Sequence, residues 1–386
     1  MKRCLLISFF NSHNIGDRLI AHSLTQRYQS YYKVVRCSFE GSLDIWSEAK
    51  YQYSSKDILK RVYGNCLSLI HNIFPKNFGK EVILDQSVKH EIEKCDFVFI
   101  GGGNMLMYDY FHVFKSYIEY ARLCEKKVFA VDIGVGPFSN EKELINTCKC
   151  LDLCQSATFR DRSSLEFAKK YCINDRLFLA VDPCFFVNRS KTEFSNKSQK
   201  EFVAINVMNL RLDFASKETQ ANLIEAYETL IEQFDQVTKK KIVLYSTVYE
   251  DYHVIRKLAK RLLQKKINIE VKEVYLIRDL DELYQKTCYV VAMRMHALIL
   301  AYSYGIPHCG IAWQKKVESF FEITHQQEKC FDVRDLKKNI HEIVLSFVKE
   351  QEADFPAIKV KKEILDLEKV DLNIVSEIRG ENDETL

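Results

Sequence analysis

The chain lacks any run of about 18 uninterrupted apolar residues, the minimum for a helix that crosses a bilayer, although 47% of its 386 residues are hydrophobic. It also lacks a large charge excess. A net charge of +3, with Lys and Arg dispersed rather than striped, gives no electrostatic footprint for nucleic acid. Met1-Lys2-Arg3 is followed by too short an apolar run for a secretory signal, and no cleavage site appears. The thirteen cysteines sit largely in apolar runs, as Cys4, Cys95, Cys288 and Cys309 do. Buried thiols in a reducing cytoplasm are the expectation, not disulfides. Cys148, Cys150 and Cys154 do not have the spacing of paired CxxC knuckles and have no histidine nearby, so no metal site is expected. The glycines form neither the dinucleotide fingerprint GxGxxG nor a P-loop, which argues against NAD and nucleoside triphosphates. No internal repeat or low-complexity tract appears.

What is present is strand–helix alternation, twice over. The length alone predicts two domains. Apolar runs at 3–10, 97–100, 128–133, 157–159 and 178–181 read as strands, with helices at 20–31, 111–124 and 165–171 between them. A polar stretch, 188–200, reads as a linker. Strands then recur at 202–207, 241–246, 288–292 and 308–313, among helices at 218–234, 251–264, 280–285, 297–304 and 316–321. Residues 267–276 read as extended. This pattern predicts an α/β protein with two doubly wound parallel-sheet domains facing a cleft. The expected division is 1–190, then 200–335, then C-terminal helices and a frayed tail over 336–386. Residues 40–95 read as helices and loops without a clear pattern.

Chemistry-bearing residues cluster where strands are expected to end, which is where ligands bind in such sheets. Asn14 to Asp17 form a turn after the first strand, with Asp17 expected to cap the following helix. Gly101-Gly102-Gly103-Asn104 reads as a tight loop lining the cleft. Gly134 opens a second glycine turn, Arg160 ends a strand, and Ser163 or Ser164 is expected to cap the next helix. At 292–297 an apolar strand delivers Arg294 and His296 two residues apart, an anion-binding group beside an acid/base group.

Together the motifs resemble the polysaccharide pyruvyl transferase family. They are Asn14-Ile15-Gly16-Asp17-Arg18-Leu19-Ile20, Gly101-Gly102-Gly103, Gly134-Val135-Gly136-Pro137, Arg160-Asp161-Arg162-Ser163-Ser164, Asp182-Pro183-Cys184-Phe185 and Arg294-Met295-His296-Ala297, with Gly305, Pro307 and Lys316 following in order. The resemblance implies a GT-B-like fold. It also implies transfer of pyruvate from phosphoenolpyruvate onto two hydroxyls of a sugar, giving a cyclic ketal and free phosphate. The implied acceptor is a sugar of an exopolysaccharide, capsule or cell-wall glycan, often lipid-linked, which would bring a cytoplasmic enzyme to the membrane face. No cofactor or metal is implied.

In that scheme Arg160 and Arg294 clamp the donor anion, Lys316 adds charge near the phosphate, and His296 moves the proton. Asn14, Asp17, Gly102, Gly103 and Asn104 are then cleft or acceptor-side residues. The alternative is a nucleotide-sugar glycosyltransferase of the same shape. Against it, the second half shows no convincing Glu-x7-Glu site for ribose and phosphate.

Overall fold

The computed structural model describes residues 1–43, 45, 84–106, 110–136, 138, 141–187, 200–210, 217–352 and 362–379. Most of the expected linker, most of the 40–95 stretch, Pro137 and the tail after 379 lie outside the described residues.

The first sheet holds β1 (Arg3–Ser8), β2 (Lys33–Ser38), β3 (Phe97–Leu106), β4 (Lys127–Val135), β5 (Ser156–Phe159) and β6 (Leu177–Leu179), ordered β2-β1-β3-β4-β5-β6 and all parallel. Helices α1 (Ile15–Gln29), α2 (Gln86–Lys94), α3 (Tyr110–Leu123), α4 (Glu141–Asp152) and α5 (Arg162–Tyr171) connect the strands. Parallel strands covered on both faces must be apolar along their length, and β1, β3, β4 and β5 are buried almost throughout. β2 escaped the sequence reading because Lys33 and Arg36 are exposed on an edge strand.

The second sheet holds β7 (Phe202–Asn206), β8 (Lys241–Tyr245), β9 (Ile269–Val271), β10 (Thr287–Ala292), β11 (His308–Ala312) and β12 (Cys330–Asp332), ordered β12-β11-β10-β7-β8-β9. Its pairs are also parallel. Around it lie α6 (Lys217–Val237), α7 (Tyr252–Gln264), α8 (Ile277–Gln285), α9 (Met295–Ser303), α10 (Lys315–Thr324) and α11 (Leu336–Glu352). The extended segment expected over 267–276 contains strand only at Ile269–Val271. Strand order reverses between β1 and β3 in one sheet and between β7 and β10 in the other. Crevices open at such switch points.

Helices α9 and α12 (Lys362–Arg379) are among the described elements that join the halves. Helix α9 buries Ala297, Leu298, Ile299, Leu300, Ala301 and Tyr302 in sequence, the pattern of a helix surrounded by protein. It packs on a 3-10 turn, Pro183–Phe186, where the Phe185 ring lies 5.6 Å from Tyr302 and 5.9 Å from Phe320. The last helix, α12 (Lys362–Arg379), returns to the first half. Tyr32 Oη donates to Val375 O at 3.0 Å, and Arg27 Nη1 lies 2.8 Å from both Asp132 and Asp371. No helix among the described residues is long and apolar enough to cross a membrane.

The expected glycine loop at 101–104 is a correction. These residues stay inside β3, with Gly102 and Gly103 at φ +84° and +82°. A Cβ on Gly101 would lie 1.9 Å from Val131 O, and one on Gly102 2.3 Å from Ile20 Cγ2. Here glycine lets β4 and α1 close onto β3.

Candidate active site

Asp182 is the centre of the polar cluster between the halves. It follows β6 and caps the 3-10 turn, Oδ1 accepting the Cys184 N–H at 3.0 Å. Its other oxygen accepts Arg160 Nη1 at 2.9 Å and lies 3.6 Å from His296 Nε2. Arg160 Nη2 also donates to Asn104 Oδ1 at 2.6 Å. Burial alone would raise the Asp182 carboxyl. The neighbouring His296 imidazole, then the Arg160 guanidinium and the Cys184 N–H, instead hold it well below the usual carboxylate range. The carboxylate is therefore a fixed anion.

His296 sits in the first turn of α9, with Nε2 buried and short of any full hydrogen bond. Its ring lies on Gly16, the second residue of α1, where a Cβ would come within 2.1 Å of Nδ1. The glycine of the Asn-Ile-Gly-Asp turn thus leaves room for this imidazole. Asn14 is the α1 cap, Oδ1 accepting from Gly16 N at 2.9 Å. That corrects the expectation for Asp17, which lies in the first turn and accepts from Ser12 Oγ at 3.1 Å.

Arg294 is held differently. Its Nε and Nη2 donate to the two oxygens of Asp251 at 3.1 and 2.9 Å, leaving Nη1 outside the fork. Asp251 is fully buried and also takes Ser246 Oγ and Asn209 N. The Arg294 backbone N–H donates to Asn206 Oδ1 at 3.1 Å, which pins the residue at the β7/β10 switch point.

A cleft of about 270 Å³ opens beside Asp182. Arg160, Asn104 and Ser163 line it from the first half, and Gln314, Lys315, Lys316 and Ser319 from the second. Gln314 is the N-cap residue of α10 without a side-chain cap bond, and its buried Nε2 has no partner. The first-turn N–H groups of α10 and two lysines therefore face one space, a setting for an anion. Lys315 already pairs with Glu318 at 2.8 Å, while Lys316 lies over the Trp313 ring. Opposite them, Asp161 caps α5 by accepting from Ser164 N, and both Ser163 and Ser164 donate to it; the capping role expected of the serines belongs to the aspartate.

Of the expected donor residues, Arg160 and Lys316 meet in this cleft, with Asn104 beside them. His296 and Arg294 are not among its lining residues; His296 lies across the Asp182 carboxylate. Gly102 and Gly103 point instead towards α1 and Phe9. The sequence reading gave no role to Asp182, Asp251 or Gln314. An Asp before Pro at a strand end was the available signal for the first. Asp182, Cys184 and His296 bring ligand atoms within 4.8 Å of one another. Arg160 already neutralises the Asp182 oxygen, and burial keeps the Cys184 thiol protonated, so the donor set does not suit a cation.

The fold recurs in solved structures. Staphylococcus aureus MnaA with UDP is 12% identical, TM-score 0.58, with 98% of this chain and 97% of that one covered. Anabaena HepE with UDP and glucose is 9% identical, TM-score 0.56, covering 98% and 100%. The Neisseria meningitidis UDP-GlcNAc 2-epimerase bound to UDP-GlcNAc is 12% identical, TM-score 0.55, covering 98% and 100%. At such identities the likeness shows the two-domain GT-B-like fold alone. No curated protein matches the sequence. The polysaccharide pyruvyl transferase family model, however, matches residues 14–315, which include Asn14, Asn104, Arg160, Asp182, Asp251, Arg294 and His296, and the chain belongs to that family.

Proposed function

We propose that the protein transfers the pyruvyl group of phosphoenolpyruvate to two hydroxyls of a sugar in a surface-polysaccharide or cell-wall glycan precursor. The observation that carries this reading is the convergence of Arg160, Lys315, Lys316 and the open amino end of α10 on one cleft, one carboxylate away from His296. Phosphoenolpyruvate presents a phosphate and a carboxylate. The phosphate suits the α10 end with Gln314 and Lys316, and the carboxylate suits the guanidinium of Arg160. Arg294, neutralised by Asp251, adds a single open N–H edge at the neighbouring switch point.

A proton goes to the methylene carbon of the enol, and the cation that develops at the adjacent carbon is attacked by one sugar hydroxyl. The second hydroxyl attacks the same carbon and phosphate leaves. Two hydroxyl protons are released; one makes good the proton delivered to carbon and the other leaves on the phosphate, so the reaction balances with the two substrates alone. His296 is the group to carry the proton, and the cationic cleft stabilises the departing phosphate. A sugar or lipid-linked oligosaccharide enters from the β1/β3 side, near Asn14 and Asp17, in the cytoplasm or at its membrane face.

The test mixes purified protein with phosphoenolpyruvate and aryl galactosides, glucosides and N-acetylmannosaminides. The expected result is phosphate release that requires one class of acceptor, with a product heavier by pyruvic acid less one water. Acceptor-dependent release of UDP from a UDP-sugar, with phosphoenolpyruvate ignored, would instead identify a glycosyltransferase.

A further inference from the structure

His296 belongs to the second half of the molecule, yet both surfaces that fix its ring belong to the first. Resting on the pyruvyl-transfer reading, we infer that Asp182 is the positioning residue of His296, and that with Gly16 it forms a seat across the domain junction which sets the ring for proton transfer. Asp182 is suited to this. One oxygen is tied to its own turn by the Cys184 N–H, so the carboxylate cannot swing away. The other lies between the Arg160 guanidinium at 2.9 Å and His296 Nε2 at 3.6 Å. Nδ1 lies against the bare α-carbon of Gly16. The imidazole is thus bounded at both nitrogens by the opposite domain.

The charged and titratable groups around the ring are few. Asp182, Arg160 and Cys184 face it from the first half. Arg294 precedes it on its own strand end, paired with Asp251 from the turn after β8, and Lys315 and Lys316 lie across the cleft. Asp182 is the anion at Nε2. An imidazolium formed after proton pickup is stabilised there, and the ring orientation is held between turnovers. Because the pair spans the junction, the proton carrier is complete only when the two sheets are apposed.

A purely structural role for Asp182, holding Arg160 for donor binding, predicts a different kinetic pattern. In Asp182→Asn the seat model expects kcat to fall about 100-fold, with KM for phosphoenolpyruvate changed less than about three-fold. Asp182→Glu should recover part of kcat. Gly16→Ala should lower kcat in wild-type protein but add no further loss to His296→Ala, since the nearest atoms the new methyl group meets are those of the histidine ring. A raised KM with wild-type kcat, matching Arg160→Ala, would overturn the assignment. A second readout needs no turnover and no acceptor. The ring-nitrogen NMR resonances of His296, identified by their loss in His296→Ala, should move in both Asp182→Asn and Gly16→Ala. Resonances unchanged in both variants would refute the seat even if pyruvyl transfer is confirmed. Moved resonances without ketal formation would leave the seat standing and reject the reaction.

Discussion

Two aspartates buried in the first half of the chain, Asp182 and Asp132, sit in opposite electrostatic situations. Asp182 lies beside the His296 imidazole and the Arg160 guanidinium and is held ionised. Asp132 shares a single arginine, Arg27, with a second carboxylate, Asp371 from α12. Burial first, and the Asp371 charge second, outweigh Arg27 and push the Asp132 carboxyl well above its ordinary value. Asp132 is aimed at Arg27 by a local irregularity of β4, where its backbone takes φ +50° and its N–H donates to Thr158 Oγ1. Each aspartate joins parts of the chain far apart in sequence. The first has charge to use on a neighbour; the second joins a proton-retaining latch that ties the C-terminal helix down.

The largest effect expected from this contrast is on stability. Arg27→Met leaves two buried carboxylates with no cation, and unfolding by urea at neutral pH should show a loss of about 3 kcal/mol. A loss below about 1 kcal/mol would mean that α12 is held by apolar packing alone. Gly102→Ala should cost about 2 kcal/mol in the same assay, because the methyl group meets Ile20 and the residue has positive φ.

Smaller, and more diagnostic, is the pH dependence. Asp132 binds its proton more tightly folded than unfolded, so its contribution is present below the unfolded value of about 4 and is lost as pH rises through the folded value. Asp132→Asn should therefore flatten the decline in stability above about pH 4. Asp182 is the reverse: its folded carboxyl is depressed, so its contribution is present above about pH 4 and lost as pH falls. The stability deficit of Asp182→Asn should accordingly shrink on acidification. Equal slopes for the two variants, measured by urea unfolding across pH, would remove the distinction. Smallest is the cleft: Lys316→Ala should raise KM for phosphoenolpyruvate about five-fold, an effect of about 1 kcal/mol that shrinks as salt is added.

The architecture was legible because parallel strands buried on both faces leave long apolar runs, and 97–100, 128–133 and 288–292 all fell within strands. Two of the four edge strands, β2 and β12, leave no such signal and were missed. Arg160 and Asn104, expected at strand ends, and Lys316, expected beside the donor, line one cleft, since topology brings the carboxyl ends of both sheets together. Their partners were not legible. Asp182 reads as a turn residue and Asp251 as a helix start until the fold shows which cation each one meets. The three glycines after Ile100 looked like a loop because close helix-on-strand packing and backbone exposure to a ligand call for the same residue.

The account stands on His296 as the proton carrier of a pyruvyl transfer. With an accepted sugar in hand, ketal formation by His296→Ala, compared with wild type at saturating phosphoenolpyruvate, tests this most directly. The account predicts a folded variant whose kcat falls at least about 100-fold. Ketal formed at the wild-type rate would contradict it.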